Sequence, residues 1–161
     1  MILLDTDICI ELLRGNRKVI EKRRDYDEKV AVSFMTVAEL FYGAEKSDNK
    51  NENTNLSEEF LLTVEIIHSD LDILSKFGEL KATLGKAGNI SADADIFIGA
   101  TAVVKCSMLI TGNVNHFRRI EELRIENWIR TWKWLQNPVL CPMASLRFGL
   151  KCSRTACTLR F

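Results

Sequence analysis

The 161-residue chain carries 22 basic and 22 acidic side chains and is 47% hydrophobic, a length and balance that fit a single domain with a real core. Residues 138–161 hold four of the bases, Arg147, Lys151, Arg154 and Arg160, and no acid, which leaves 18 bases against 22 acids in residues 1–137. An acidic body with a basic tail excludes a protein that holds nucleic acid by bulk charge, so a phosphate-bearing substrate would need local basic residues or a metal ion.

The chain opens on Ile2, Leu3 and Leu4, a short apolar run that reads as a buried strand. Asp5 ends it, and Thr6 and Asp7 open a helix from about Asp7 to Arg14, stopped by Gly15 and with a basic continuation toward Arg24. Lys29 to Phe34 is β-branched and predicts the second strand. Thr36 is placed to cap a helix over Val37–Lys46, with Glu39 at the third position of a capping box. The Asn-rich stretch from Ser47 to Asn55 reads as a loop, followed by a helix Leu56–Val64 and a short strand Glu65–His68. Ser69 can cap a long helix Asp70–Lys86, with Leu71, Leu74, Phe77, Leu80 and Leu84 as its apolar set.

After a loop over Asn89–Ala94, Asp95 opens a helix that is apolar nearly all round and therefore buried, with Gly99 and Ala100 allowing close approach to the sheet. Met108–Thr111 is a strand, Gly112–His116 a loop, Phe117–Leu123 a turn or short helix, and Arg124–Trp128 a final strand. This order predicts an α/β fold, a three-layer α/β/α sandwich with a mainly parallel central sheet. The domain spans residues 1–134. Residues 135–161, broken by Pro138 and Pro142 and holding three of the five cysteines, form a basic tail without clean periodicity. No basic n-region, no membrane-length apolar run and an odd cysteine count without short pairing point to a reduced, cytoplasmic protein without a zinc site.

The chemistry gathers at element ends. Asp5 ends the first strand, Glu39 lies in the first turn after the second, Asp95 begins the buried helix, and Thr111, Asn113 and His116 follow the strand MLIT. In a parallel sheet these positions share one edge, where ligands bind. Carboxylates brought together repel unless a cation lies between them, and Mg²⁺ or Mn²⁺ takes such oxygen ligands. Each acid also has a purely structural use: Asp5 or Asp7 as a helix cap, Glu39 as the partner of Thr36, Asp93 or Asp95 at a helix dipole. Arg14, Arg17, Arg118 and Arg119 are candidates for phosphate contacts, Arg14 and Arg119 foremost.

Four blocks, LLDTDICIELLRG, SFMTVAELFYGA, ADIFIGATA and LITGNVNHFRRIEELRIENW, together resemble the PIN domain in order and spacing, and most of all the VapC-type toxin ribonucleases. The resemblance covers about Met1 to Trp128. It implies a divalent-metal-dependent endoribonuclease, a homodimer, and a cognate antitoxin that holds it inactive. By position it makes Asp5, Glu39 and Asp95 the metal-holding and catalytic acids and Thr111 and Asn113 polar support residues; Thr6, Asp93 and His116 complete the candidate lining of the site. Two positions depart from the family pattern: Asp7 stands where Asn is frequent, and His116 where many members carry a fourth acid. His suits Mn²⁺ better than Mg²⁺, so His116 as a ligand and His116 as a lining residue both stay open. Leu56, Phe60, Leu61 and Val64 could supply a dimer surface. Two rivals remain: an interaction module of the same fold with a weakened metal site, and a phosphatase in which Asp5-Thr6-Asp7 begins a DxD motif.

Overall fold

Ile2, Leu3 and Leu4 are fully buried as strand β1 (Ile2–Leu4), at the centre of a five-stranded parallel sheet of order β3-β2-β1-β4-β5. The computed structural model describes residues 1–88 and 91–129, which fall in one compact unit, Met1–Thr131. The expected tail 135–161 lies outside them. β1 pairs with β2 (Val30–Ser33) on one side and β4 (Met108–Ile110) on the other, Leu4 lying opposite both Val32 and Ile110. β3 (Glu65–Ile67) and β5 (Ile125–Glu126) flank these.

Successive strand residues face opposite sides, and the two cores follow from that alternation. Ile2, Leu4, Val30, Val32 and Ile110 pack under α1 (Thr6–Leu13), α2 (Arg17–Arg24), α3 (Phe34–Glu45) and α4 (Lys50–Leu61). Leu3, Ala31 and Leu109 pack under α5 (Leu71–Lys86) and α6 (Asp93–Lys105), with Phe117 of the short α7 (Val114–Phe117). Each fully buried aliphatic side chain contributes about 2 kcal/mol by burial. The three-layer sandwich is the one expected, with every strand parallel. Among the described residues no helix is long and apolar enough to cross a membrane.

Several local readings change. The cap of α3 is Ser33, not Thr36: Ser33 Oγ accepts from the Thr36 N–H at 3.0 Å, and Thr36 is buried beside it at 0% exposure. The helix begins as soon as β2 ends, so Glu39 is released from any capping box with Thr36. The Asn-rich segment is helical from Lys50, because Asn53 Nδ2 donates to Ser47 Oγ and Ser57 is buried where α4 packs on α3. Asp70, not Ser69, caps α5, its Oδ1 accepting from the Ile73 N–H. Leu71 is 83% exposed and Leu74 46%, since the stripe facing the sheet is Ile73, Phe77, Leu80 and Leu84. α6 starts at Asp93, two residues early. α1 and α2 are separate helices, divided by Gly15 at φ +72° and recapped by Asn16. Gly99 makes room not for the sheet but for α7 and the turn after it: a Cβ there would lie 2.5 Å from Ile120 Cδ1. Of the proposed dimer residues, Phe60, Leu61 and Val64 pack against the core, and Leu56 is 40% exposed.

Candidate metal and catalytic site

The parallel order brings the ends of β1, β2 and β4 to one edge, and the candidate residues follow from it. Asp5 leaves β1 with its N–H still bonded to the Ile110 carbonyl, so its Cα is fixed by the sheet. It also caps α1, Oδ1 accepting from the Thr6 N–H at 2.8 Å. Oδ2 accepts from Thr111 Oγ1 at 2.6 Å, and Thr111, itself fully buried, accepts in turn from the Asn113 N–H at 2.9 Å. The structural use of Asp5 as a cap and its place in an acidic site are thus not alternatives. Both hold.

Thr6 reaches the other way, donating Oγ1 to Glu39 Oε2 at 2.5 Å. Asp95, in the first turn of α6, has Oδ2 2.8 Å from His116 Nδ1. Asp5, Glu39 and Asp95 are therefore each gripped by a neighbour from another element, through Thr111, Thr6 and His116. Asp93, expected to line the site, is engaged elsewhere, in a surface ion pair with Lys81 at 2.8 Å. Arg14 is largely exposed and loosely tied to Glu11 at 3.5 Å, and Arg119 is exposed. A cleft of about 410 Å³ runs between α1, α3 and α4, with Arg14 and Glu39 both on its walls.

Electrostatics mark Asp5 as the centre. It is 6% exposed, and burial, then the charge of Asp7, push its pKa up to about 7, with Asp95 adding to the rise. The bonds from Thr111 and Thr6 pull in the opposite direction and lose. Among the described residues no ion pair reaches Asp5, Asp7 or Glu39. Cys9, one turn on and fully buried, has its thiol raised by burial and by Asp5 and Asp7, which leaves it protonated and inert.

Asp7 and Gly112 are the site residues that sequence reasoning underweighted. Asp7 Oδ2 accepts from the Gly112 N–H at 2.9 Å, while Oδ1 is buried with no hydrogen-bond partner. Burial raises the pKa of Asp7 as well. A Cβ on residue 112 would lie 2.7 Å from Asp7 Oδ2 and 2.5 Å from Ile129 Cδ1, so glycine is needed for this approach. The available signal was the spacing Asp5-Thr6-Asp7, which sets a second acid inside the first turn of the helix that the first one caps.

The donor set is hard oxygen, and among the described residues no Lys or Arg pairs with Asp5, Glu39 or Asp95, which suits a hard divalent cation. Among the described residues no three His, Cys, Asp or Glu side chains stand close enough together to hold a metal ion. Asp5, Glu39 and Asp95 are thus chemically fit for the ion without being a closed ligand shell.

Residues 2–123 match the family model described as PIN domain. The chain is 36% identical over 128 residues to Ribonuclease VapC2 of Haemophilus influenzae, covering 79% of this chain and 97% of that protein. It is 29% identical over 127 residues to the tRNA(fMet)-specific endonuclease VapC of Shigella flexneri, covering 78% and 96%. Among solved structures, a crystal structure of VapBC2 from Rickettsia felis bound to a DNA fragment from their promoter superposes with a TM-score of 0.75 at 31% identity, over 80% of this chain and 99% of that one.

Proposed function

The chain belongs to the PIN-domain family and within it to the VapC-type toxin ribonucleases, and from that premise we propose that Asp5, Glu39 and Asp95 hold the divalent cation, Mg²⁺ or Mn²⁺, with which it cleaves RNA. The phosphatase reading of Asp5-Thr6-Asp7 falls with the family assignment, and the interaction-module reading has against it relatives named as ribonucleases and endonucleases.

The observation that carries the site is Asp5: a nearly buried carboxylate, held by Thr6 and Thr111, whose ionisation is opposed by burial and by two neighbouring acids. An ion bound there would supply charge and Lewis acidity for water attack on a phosphodiester. The chain does the rest. The Thr6 N–H and the Thr111 hydroxyl fix both Asp5 oxygens, and Thr6 Oγ1 aims Glu39. Arg14, on the wall it shares with Glu39, and Arg119 contact RNA phosphates. Thr111 and Asn113 serve as support. A cognate antitoxin as partner accords with neighbours solved as VapBC complexes, and a homodimer and a cytoplasmic place of action go with the same reading. Light scattering at high micromolar concentration tests the dimer.

The deciding experiment replaces Asp5 by Asn. The variant should lose RNA cleavage and lose the rise in melting temperature that Mn²⁺ gives the parent protein. Cleavage at the parent rate by Asp5→Asn would remove Asp5 from the catalytic set.

A further inference from the structure

We infer that His116 is a positioning residue for Asp95: its Nδ1–H holds one carboxylate oxygen so that the other is presented to the cation. The inference rests on the proposal that Asp95 is among the metal-holding acids, and it assigns His116 a place outside the ligand set.

The 2.8 Å contact joins Nδ1 of His116 to Oδ2 of Asp95. A carboxylate oxygen has no hydrogen to give, so Nδ1 is the donor. The bond needs a proton on Nδ1 and makes no demand on Nε2. A nitrogen already donating to Asp95 cannot also offer a lone pair to a metal, which removes Nδ1 as a ligand. Asp95 keeps one oxygen, Oδ1, for the cation.

The fold places this pair deliberately. Asp95 sits in the first turn of α6, where its carboxylate needs an anchor to hold one rotamer. The anchor comes from α7, a four-residue helix with Phe117 at 1% exposure as its plug. The loop before α7 is fixed by the Asn113 N–H on Thr111 Oγ1, the same hydroxyl that donates to Asp5. Gly99, one turn beyond Asp95 on α6, leaves the space that Ile120 and Phe117 fill just after His116. The imidazole itself is 52% exposed and Asp95 23%. His116 is therefore not a core residue, and among the described residues its side chain hydrogen-bonds to Asp95 alone. An outer partner that orients a ligating side chain typically changes metal affinity by about 10- to 100-fold when removed.

The test measures Mn²⁺ affinity of the full-length protein by the electron paramagnetic resonance signal of free Mn²⁺. His116→Ala, His116→Asn, His116→Gln and Asp5→Asn are compared with the parent, and circular dichroism melting of the metal-free proteins checks folding. The amide nitrogen of Asn falls where Nδ1 does, and that of Gln where Nε2 does. Positioning through Nδ1 requires that His116→Ala weaken Mn²⁺ binding about 10- to 100-fold, that His116→Asn restore most of it, and that His116→Gln restore little. Rescue by Gln and not by Asn would make Nε2 the acting atom and overturn the inference. So would unchanged or tighter binding in His116→Ala, the second because the imidazole would then be competing for Asp95. Asp5→Asn keeps the two readings apart: if it binds Mn²⁺ as the parent does, the metal-site proposal has failed, whatever His116 does.

Discussion

Asp7 accepts from the backbone of Gly112 with one oxygen and buries the other without a partner, two residues after Asp5 in the first turn of the helix that Asp5 caps. An acid in that position raises the pKa of Asp5 and costs stability whenever both are ionised. Replacing Asp7 by Asn keeps an oxygen for the Gly112 N–H and removes the buried charge. The metal-free protein should gain about 1–2 kcal/mol at pH 8 by urea denaturation. The Asp5 titration, followed by carboxyl carbon NMR, should move to lower pH. An Asp5 titration unmoved by Asp7→Asn would contradict the coupling.

The pH dependence of stability follows from the same group. Asp5 has a folded pKa of about 7, raised by burial and then by Asp7, against an ordinary 3.8. Between these values the folded state binds a proton the unfolded state has released, so stability falls as pH rises through the window and levels off above 7. The full penalty is of order 4 kcal/mol as an upper bound. Metal-free protein should therefore melt at a lower temperature at pH 8 than at pH 5. Millimolar Mn²⁺ should shrink or reverse that difference, because a bound cation favours the ionised acid. A metal-free melting temperature that rises from pH 5 to pH 8 would show that other groups outweigh Asp5.

Thr111→Val removes a hydroxyl and keeps the shape of a fully buried side chain. The bond from Thr111 lowers the Asp5 pKa, so its loss raises that pKa further. The variant should need higher pH or more Mn²⁺ for half-maximal RNA cleavage, and should lose about 1–3 kcal/mol of stability at pH 8, where the carboxylate is left underbonded. An unchanged pH profile would assign Thr111 to packing alone.

Gly112→Ala tests the close approach directly. The added methyl meets Asp7 Oδ2 at 2.7 Å and Ile129 Cδ1 at 2.5 Å, and the Ile129 tip can rotate away more easily than the hydrogen-bonded carboxylate. A loss of about 1–3 kcal/mol is expected. In the double variant with Asp7→Ala the loss should be smaller, and additive losses would show that Asp7 is not what Gly112 accommodates.

The strand runs ILL, VAVS and MLI were legible because a buried parallel strand leaves a continuous apolar signature, and the acids were legible because each closes or opens such a run. What was not legible came from long-range packing. Asn-rich residues from Lys50 on have poor helix propensity, yet they are helical because α4 docks on α3. Leu71 and Leu74 satisfied a helical period, but the burial stripe on α5 is set by where the sheet lies, one position round the helix at Ile73. The partners of the three acids, Thr111, Thr6 and His116, lie 106, 33 and 21 residues away from them, and no local pattern announces such pairs.

The central place of β1 also sets a schedule. Asp5 is made 106 residues before Thr111, the donor to its carboxylate, and the strand it leaves also waits for β4 as a neighbour. At about 5–20 residues per second on the ribosome, roughly 5 to 20 s separate these two residues. A nascent chain shorter than that lacks Asp95 or Thr111, and so lacks the assembled edge. On the proposed roles of Asp5 and Asp95, cleavage therefore waits on the later half of the domain, however early its first acid is made.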